Sequence, residues 1–265
     1  MATTASLDGT LIAYDVRGDG PPLVYITGAT CFRTFLPVVR DSKTFATGFR
    51  VATYDRRGRG NSGDTTPWSL EREVEDIDAM IDTLGGEAFV YGHSSGAVLA
   101  LHAARRLGSK VRGAVLYDAP WVHDTTERQE YATLRAHVEH LLDQGKHARA
   151  TRRFLIGIGM PRPFVAILPL MPGWRTMVRL APTLRYDLAL TADLPPLGLA
   201  AEVRVPTHVL VGERSPQELH HVARALAGAV PGSTLTTIAK QDHMVAAKVL
   251  LPVLIERFGV DRADA

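Results

Sequence analysis

The chain opens on period-two alternation: in SLDGTLIAYD the pair Asp8-Gly9 stands between two alternating runs, the pattern of an antiparallel hairpin. Short apolar runs then alternate with stretches of helical spacing. Residues 23–26, 51–54, 88–91 and 111–117 read as strands, while 70–84 and the stretch from Ser95 to Gly108 read as helices. The rhythm returns near the end with strands at 208–211 and 235–238 and helices at 216–226 and 245–258. This order predicts an α/β protein, with a mainly parallel sheet covered by helices on both faces.

Residues from about 121 to 202 break the rhythm. Leu134, Val138, Leu141 and Leu142 follow helical spacing, and Pro161, Pro163, Pro169, Pro172 and Pro182 cut the remainder into short pieces. The pattern predicts a core made of residues 1–120 and 201–265, with a helical lid at 121–200 inserted between two strands. Apolar lid residues, among them Phe154, Phe164, Met171, Trp174 and Met177, would face the core or an apolar substrate pocket, and Thr27 is a further pocket candidate. The charge-free stretch PFVAILPLMPGW carries three prolines and is about half the length of a spanning helix. It predicts no membrane span; a buried or pocket-lining segment is expected, with interfacial membrane contact as the alternative.

Composition narrows the classes. At 265 residues and 46% hydrophobic content the chain can bury one large core without a second domain. Thirty basic residues against twenty-eight acidic ones leave a formal charge of +2, and arginine is spread rather than striped, so no nucleic-acid partner is implied. The opening MATTASLDGTLIAYD has neither a basic nor an apolar targeting region, and Cys31 stands alone. Both fit an expectation of a reducing cytoplasm. Cys31 itself reads as a nucleophile or, more simply, as a small buried hydrophobe.

Chemistry concentrates in FVYGHSSGAVLALHAARRLG, where an apolar strand becomes a helix of small residues. Only Gly92-His93-Ser94-Ser95-Gly96 remains for the turn. So sharp a turn holds its central residue in strained backbone, and glycines on either side leave room for it. Gly92-x-Ser94-x-Gly96 matches the nucleophile elbow.

With this motif the chain resembles the α/β-hydrolase family along nearly its whole length. VYITGAT lies where that family has its oxyanion loop, and YDRRGRGNS is similar to its Asp-x-Arg-Gly-x-Gly-x-Ser loop. GAVLYDAP, VLVGERSP and KQDH fall at its later strand ends. The resemblance implies an eight-stranded-type, mostly parallel sheet, a Ser94 nucleophile and a His243 base in the loop before the closing helix. It also implies oxyanion donors from the backbone N–H groups of Ser95 and Ala29, and no cofactor or metal. Thr27-Gly28 replaces the His-Gly usual in the oxyanion loop.

The acid departs from the commoner family pattern, because VLVGERSP places Ser215 where most relatives carry aspartate. Asp118, at the end of the strand before the lid, is the expected acid; Glu213 is the alternative, and a dyad without an acid is the third. The implied activity is cleavage of an ester, thioester or lactone of an apolar small molecule. Carbon–carbon cleavage, a lyase or cyclisation step, or ligand binding on the same fold remain alternatives. GRGNSG, at 58–63, formally matches a dinucleotide fingerprint, but Asp64-Thr65-Thr66-Pro67 intervenes before the next helix. His137 and His140 lack the carboxylate partners of a metal site.

Overall fold

Helix-covered strands need apolar residues on both faces, and the runs at 23–26, 88–91 and 111–117 supply them. In the structure, a computed structural model that describes residues 1–260, they become β3 (Pro22–Ile26), β5 (Ala88–His93) and β6 (Val111–Tyr117). With β1 (Ala2–Ala5), β2 (Leu11–Arg17), β4 (Arg50–Tyr54), β7 (Thr207–Gly212) and β8 (Thr234–Ile238) they form one sheet in the order β1-β2-β4-β3-β5-β6-β7-β8. The first two strands pair antiparallel through the turn at Gly9, and β2 pairs antiparallel with β4; every later pairing is parallel.

Successive side chains of a strand point to opposite faces, so each central strand serves two cores. Val24, Ile26, Val90 and Leu116 face α2 (Leu70–Thr83) and α3 (Ser95–Leu107). Leu23, Tyr25, Phe89, Tyr91, Val115 and Tyr117 face α1 (Leu36–Phe45) and α11 (Ala247–Phe258). In α2 the buried Val74, Ile77 and Ile81 follow helical spacing, and Ser69 caps its start by accepting the Arg72 N–H. In α3, Ala97, Ala100, Ala103 and Ala104 are buried; their small side chains bring the helix close to the sheet. Helix α1 was not legible as a helix in the sequence.

Between β6 and β7 the chain is helical: α4 (Thr125–Asp143), α5 (His147–Gly157), α6 (Arg162–Ile167), α7 (Trp174–Arg179), α8 (Leu184–Leu190) and α9 (Leu197–Ala200). Leu134, Val138, Phe154, Val165, Met177 and Leu188 give these helices a core of their own. Helix α10 (Gln217–Ala229) then joins β7 to β8.

The charge-free segment differs from its expectation. Val165 and Leu168 are buried, but Phe164, Ile167 and Met171 are exposed and Leu170 is 86% exposed. Helix α6 has six residues, and the prolines on either side prevent a longer amphipathic face, so only a few positions turn inward. Among the described residues, no helix is long and apolar enough to cross a membrane.

Candidate active site

The turn after β5 holds Ser94 at φ 57° and ψ −128°, a conformation that non-glycine residues rarely adopt. Close packing enforces it. A Cβ on Gly96 would collide with the Ile26 carbonyl oxygen, and one on Gly92 with the Gly96 carbonyl. Both glycines of the motif are therefore needed for contact. The Ser94 N–H donates to the Tyr117 carbonyl at 2.9 Å, tying the turn to the end of β6.

One residue beyond that tie, Asp118 also has positive φ, 49°. Its buried carboxylate accepts three hydrogen bonds: from the Gly212 N–H at 3.1 Å on Oδ1, and from Ser215 Oγ at 2.6 Å and His243 Nδ1 at 3.1 Å on Oδ2. Nδ1 is thus the protonated nitrogen when the ring is neutral, which leaves Nε2 free as a base. Ser94 and His243 line the same cavity. Glu213 points elsewhere: it is exposed and accepts the Lys240 N–H at 2.6 Å. Ser215, at the place where an acid was missing, holds Asp118 instead, a role its sequence position alone did not suggest.

Two neighbours hold the histidine loop. Tyr117 Oη donates to the Asp242 carbonyl at 2.6 Å, and His93 Nε2 donates to the His243 carbonyl at 2.7 Å. Burial, reinforced by the nearby His243, lowers the His93 pKa to about 4, so His93 stays neutral at physiological pH and serves as a fixed donor.

The backbone N–H groups of Ala29 and Ser95 donate to no carbonyl or side chain among the described residues. Arg59 Nη1 donates to the Gly28 carbonyl at 2.8 Å. In a trans peptide C=O and N–H point in opposite directions, so this bond turns the Ala29 N–H away from Arg59. The loop passes close to Ser94: a Cβ on Gly28 would lie 2.9 Å from the Ser94 Cβ.

Arg59 belongs to a buried ionic cluster that sequence reasoning missed. Asp187 on α8 pairs with Arg59 at 2.7 Å and Arg56 at 2.9 Å, and accepts from Ser95 Oγ at 2.8 Å; Arg56 also pairs with Glu73 at 2.6 Å. Burial alone would raise the Asp187 pKa, but Arg59 and Arg56 outweigh it and hold the carboxyl below its ordinary range. The one available signal was that Asp187 is the first acidic residue after Asp143 in an arginine-rich stretch. Its partner Arg56 is 131 positions away in the chain.

The cavity beside Ser94 is walled on the inserted side by Phe154, Leu155, Ile158 and Met160. The residues expected in the pocket lie apart from this lining. Thr27 is buried outside the lining, Phe164 and Met171 lie on the exposed surface, and Trp174 packs within the insertion with the Arg152 guanidinium over its ring. Cys31 does line the cavity, but burial pushes its thiol up to about 11, which leaves it protonated and a poor nucleophile at neutral pH. Among the described residues, no cluster of His, Cys, Asp and Glu could hold a metal.

Residues 23–248 match the family described as "Alpha/beta hydrolase family". A solved alpha/beta hydrolase from Sphaerobacter thermophilus DSM 20745 is 37% identical, with a TM-score of 0.86 over 97% of this chain and 100% of that one. An esterase from Exiguobacterium antarcticum, 17% identical with a TM-score of 0.76 over 97% of this chain and 99% of its own, shares the fold. Lipase LipV of Mycobacterium tuberculosis is 26% identical over 159 residues, 57% of this chain and 61% of the lipase. Proline iminopeptidase PfmaB of Pestalotiopsis fici is 26% identical over 121 residues, 44% of this chain and 43% of the peptidase. Each of these last two matches spans less than two thirds of the relative's length. With its eight-stranded sheet and a family match running from the third strand into the closing helix, the chain belongs to the alpha/beta hydrolase family.

Proposed function

We propose that the chain is a serine hydrolase that cleaves an ester, thioester or lactone of a small molecule with an apolar part, through an acyl-enzyme on Ser94. The observation that carries this reading is the contact of His243 Nδ1 with Asp118 Oδ2 at 3.1 Å, beside a cavity that the strained Ser94 also lines. Lipase and esterase names among the similar proteins agree with it. The segment at 121–200 then serves as the lid.

Ser94 Oγ attacks the substrate carbonyl and His243 Nε2 takes its proton. Asp118 stabilises the imidazolium through Nδ1–H. The carbonyl oxygen, now an anion, receives the N–H groups of Ala29 and Ser95, the second at the N-terminus of the thirteen-residue α3. Collapse of the intermediate breaks the carbonyl–heteroatom bond, and His243 returns the proton to the leaving group. Water, deprotonated by His243, then attacks the acyl-Ser94 ester and releases the acid and the free serine.

Labelling with a fluorophosphonate probe, read by intact mass, tests this directly. Wild-type protein should gain one adduct, and Ser94→Ala should lose both labelling and ester turnover. Labelling of Ser94→Ala at the wild-type rate sinks the reading.

A further inference from the structure

The cavity beside Ser94 has apolar walls, Val38 and Phe45 on one side and Phe154 and Leu155 on the other, yet it also contains a carboxylate. Asp41, on the second turn of α1, lines the cavity together with Tyr25 and Tyr91. Its side-chain partner is Tyr25, whose O–H donates to Oδ2 at 3.4 Å, a long bond. No cation pairs with Asp41 among the described residues. A carboxylate offers about four acceptor positions, and one weak donor leaves most of them open.

The pair is held rigidly. The Tyr25 ring stacks on Tyr91 at 5.1 Å and meets Phe45 edge-on at 5.5 Å, so the phenol is fixed behind the carboxylate. Asp118, by comparison, accepts three hydrogen bonds. An ionised carboxyl set among apolar side chains is costly unless something compensates its charge. Burial does raise the Asp41 pKa, to about 6, with the Tyr25 bond acting in the opposite direction. At pH 7.5 the group is still mainly ionised. A bound cation would supply the missing partner.

We propose that Asp41, backed by Tyr25, is the specificity group of this cavity, and that the substrate carries an ammonium group on the apolar chain that fills it. The inference rests on the hydrolase reading for the word substrate, but binding of an alkylammonium ion does not need catalysis. It narrows the ester, thioester or lactone class to cationic amphiphiles such as amino-acyl or amino-alkyl esters. Neither the family match nor the similar proteins' names assign Asp41 a role.

Calorimetric titration of hexylammonium and 1-hexanol at pH 7.5 separates a cation site from a merely apolar cavity. Wild-type protein should bind hexylammonium at least about tenfold more tightly than 1-hexanol, a difference of about 1.4 kcal/mol. Asp41→Asn should abolish that preference and leave 1-hexanol binding unchanged, while Asp41→Glu, which keeps the charge, should retain most of it. Hexylammonium should also slow fluorophosphonate labelling of Ser94 at the concentrations where it binds. Equal affinities in the wild type, or a preference that survives Asp41→Asn, overturns the inference. If unliganded protein fails to label at Ser94, the hydrolase reading falls and the calorimetric comparison still judges Asp41.

Discussion

At the scale of single residues, the two candidate acids differ in what each carboxylate touches. Asp118 is buried and reaches His243 Nδ1, whereas Glu213 is exposed and caps the backbone at Lys240. On the proposed mechanism, Asp118→Asn should lower kcat by up to about 10⁴, because the amide neither fixes the tautomer nor stabilises the imidazolium. Glu213→Gln should stay within about tenfold, with circular dichroism checking that both remain folded. The reverse ranking moves the acid to Glu213. Asp41 carries a stability prediction of its own. Its folded pKa, about 6, lies above the ordinary 3.8, so the folded state binds the extra proton between these values and loses stability as pH rises through them. Asp41→Asn should therefore raise Tm relative to wild type above pH 6 and show no such gain below about pH 4. A gain confined to acid pH contradicts the burial argument. Ser95→Ala reaches beyond the turn itself. It removes a donor to buried Asp187, and should cost about 1–3 kcal/mol in denaturant melts even if its backbone N–H still serves the oxyanion.

At the scale of elements, α8 reaches the turn that carries Ser94 and Ser95 through one carboxylate. Asp187 binds Ser95 Oγ directly, and it holds Arg59, which in turn holds the Gly28 carbonyl. Both proposed oxyanion donors, the N–H groups of Ser95 and Ala29, are thus positioned from the insertion. Breaking a buried ion pair by removing one partner typically costs about 3–5 kcal/mol, since the remaining charge stays buried. Asp187→Ala should show a loss of that order in chemical denaturation, and a lower kcat with little change in KM for esters. A stability loss with kcat intact would separate α8 from the oxyanion loop. Part of the insertion was legible in advance: the spacing of Leu134 and Val138 predicted a helix, and α4 forms there. Asp187 was not, because an ion pair between residues 131 positions apart leaves no local period.

Across the whole molecule, the helices between β6 and β7 supply part of the wall of the cavity that Ser94 lines. Phe154, Leu155, Ile158 and Met160 line the cavity, while Phe164 lies on the exposed surface. Medium-chain acyl p-nitrophenyl esters should accordingly outpace acetyl esters, each buried CH₂ contributing up to about 0.8 kcal/mol. Leu155→Ala should flatten that chain-length preference, and Phe164→Ser should leave it as in the wild type. The opposite pattern would return Phe164 to the pocket.

Much of the architecture was local information. The short apolar runs at residues 23–26, 88–91 and 111–117, and Gly92-x-Ser94-x-Gly96 between a strand and a helix, are set by neighbours in the chain, so the parallel sheet and the turn were readable directly. His243 was singled out by the family resemblance, which implies a base in the loop before the closing helix, and the structure puts its Nδ1 beside Asp118. What the tertiary structure alone decided are contacts between distant residues. Ser215 in the vacant acid position binds Asp118 across 97 positions, Asp187 joins the insertion to the elbow, and Asp41 meets Tyr25 at the cavity wall. Which apolar residues of 121–200 face inward belongs with these, because helices of six residues carry too few turns to declare a buried face. Periodicity reports which way a side chain points from its own backbone; only packing decides what it finds there.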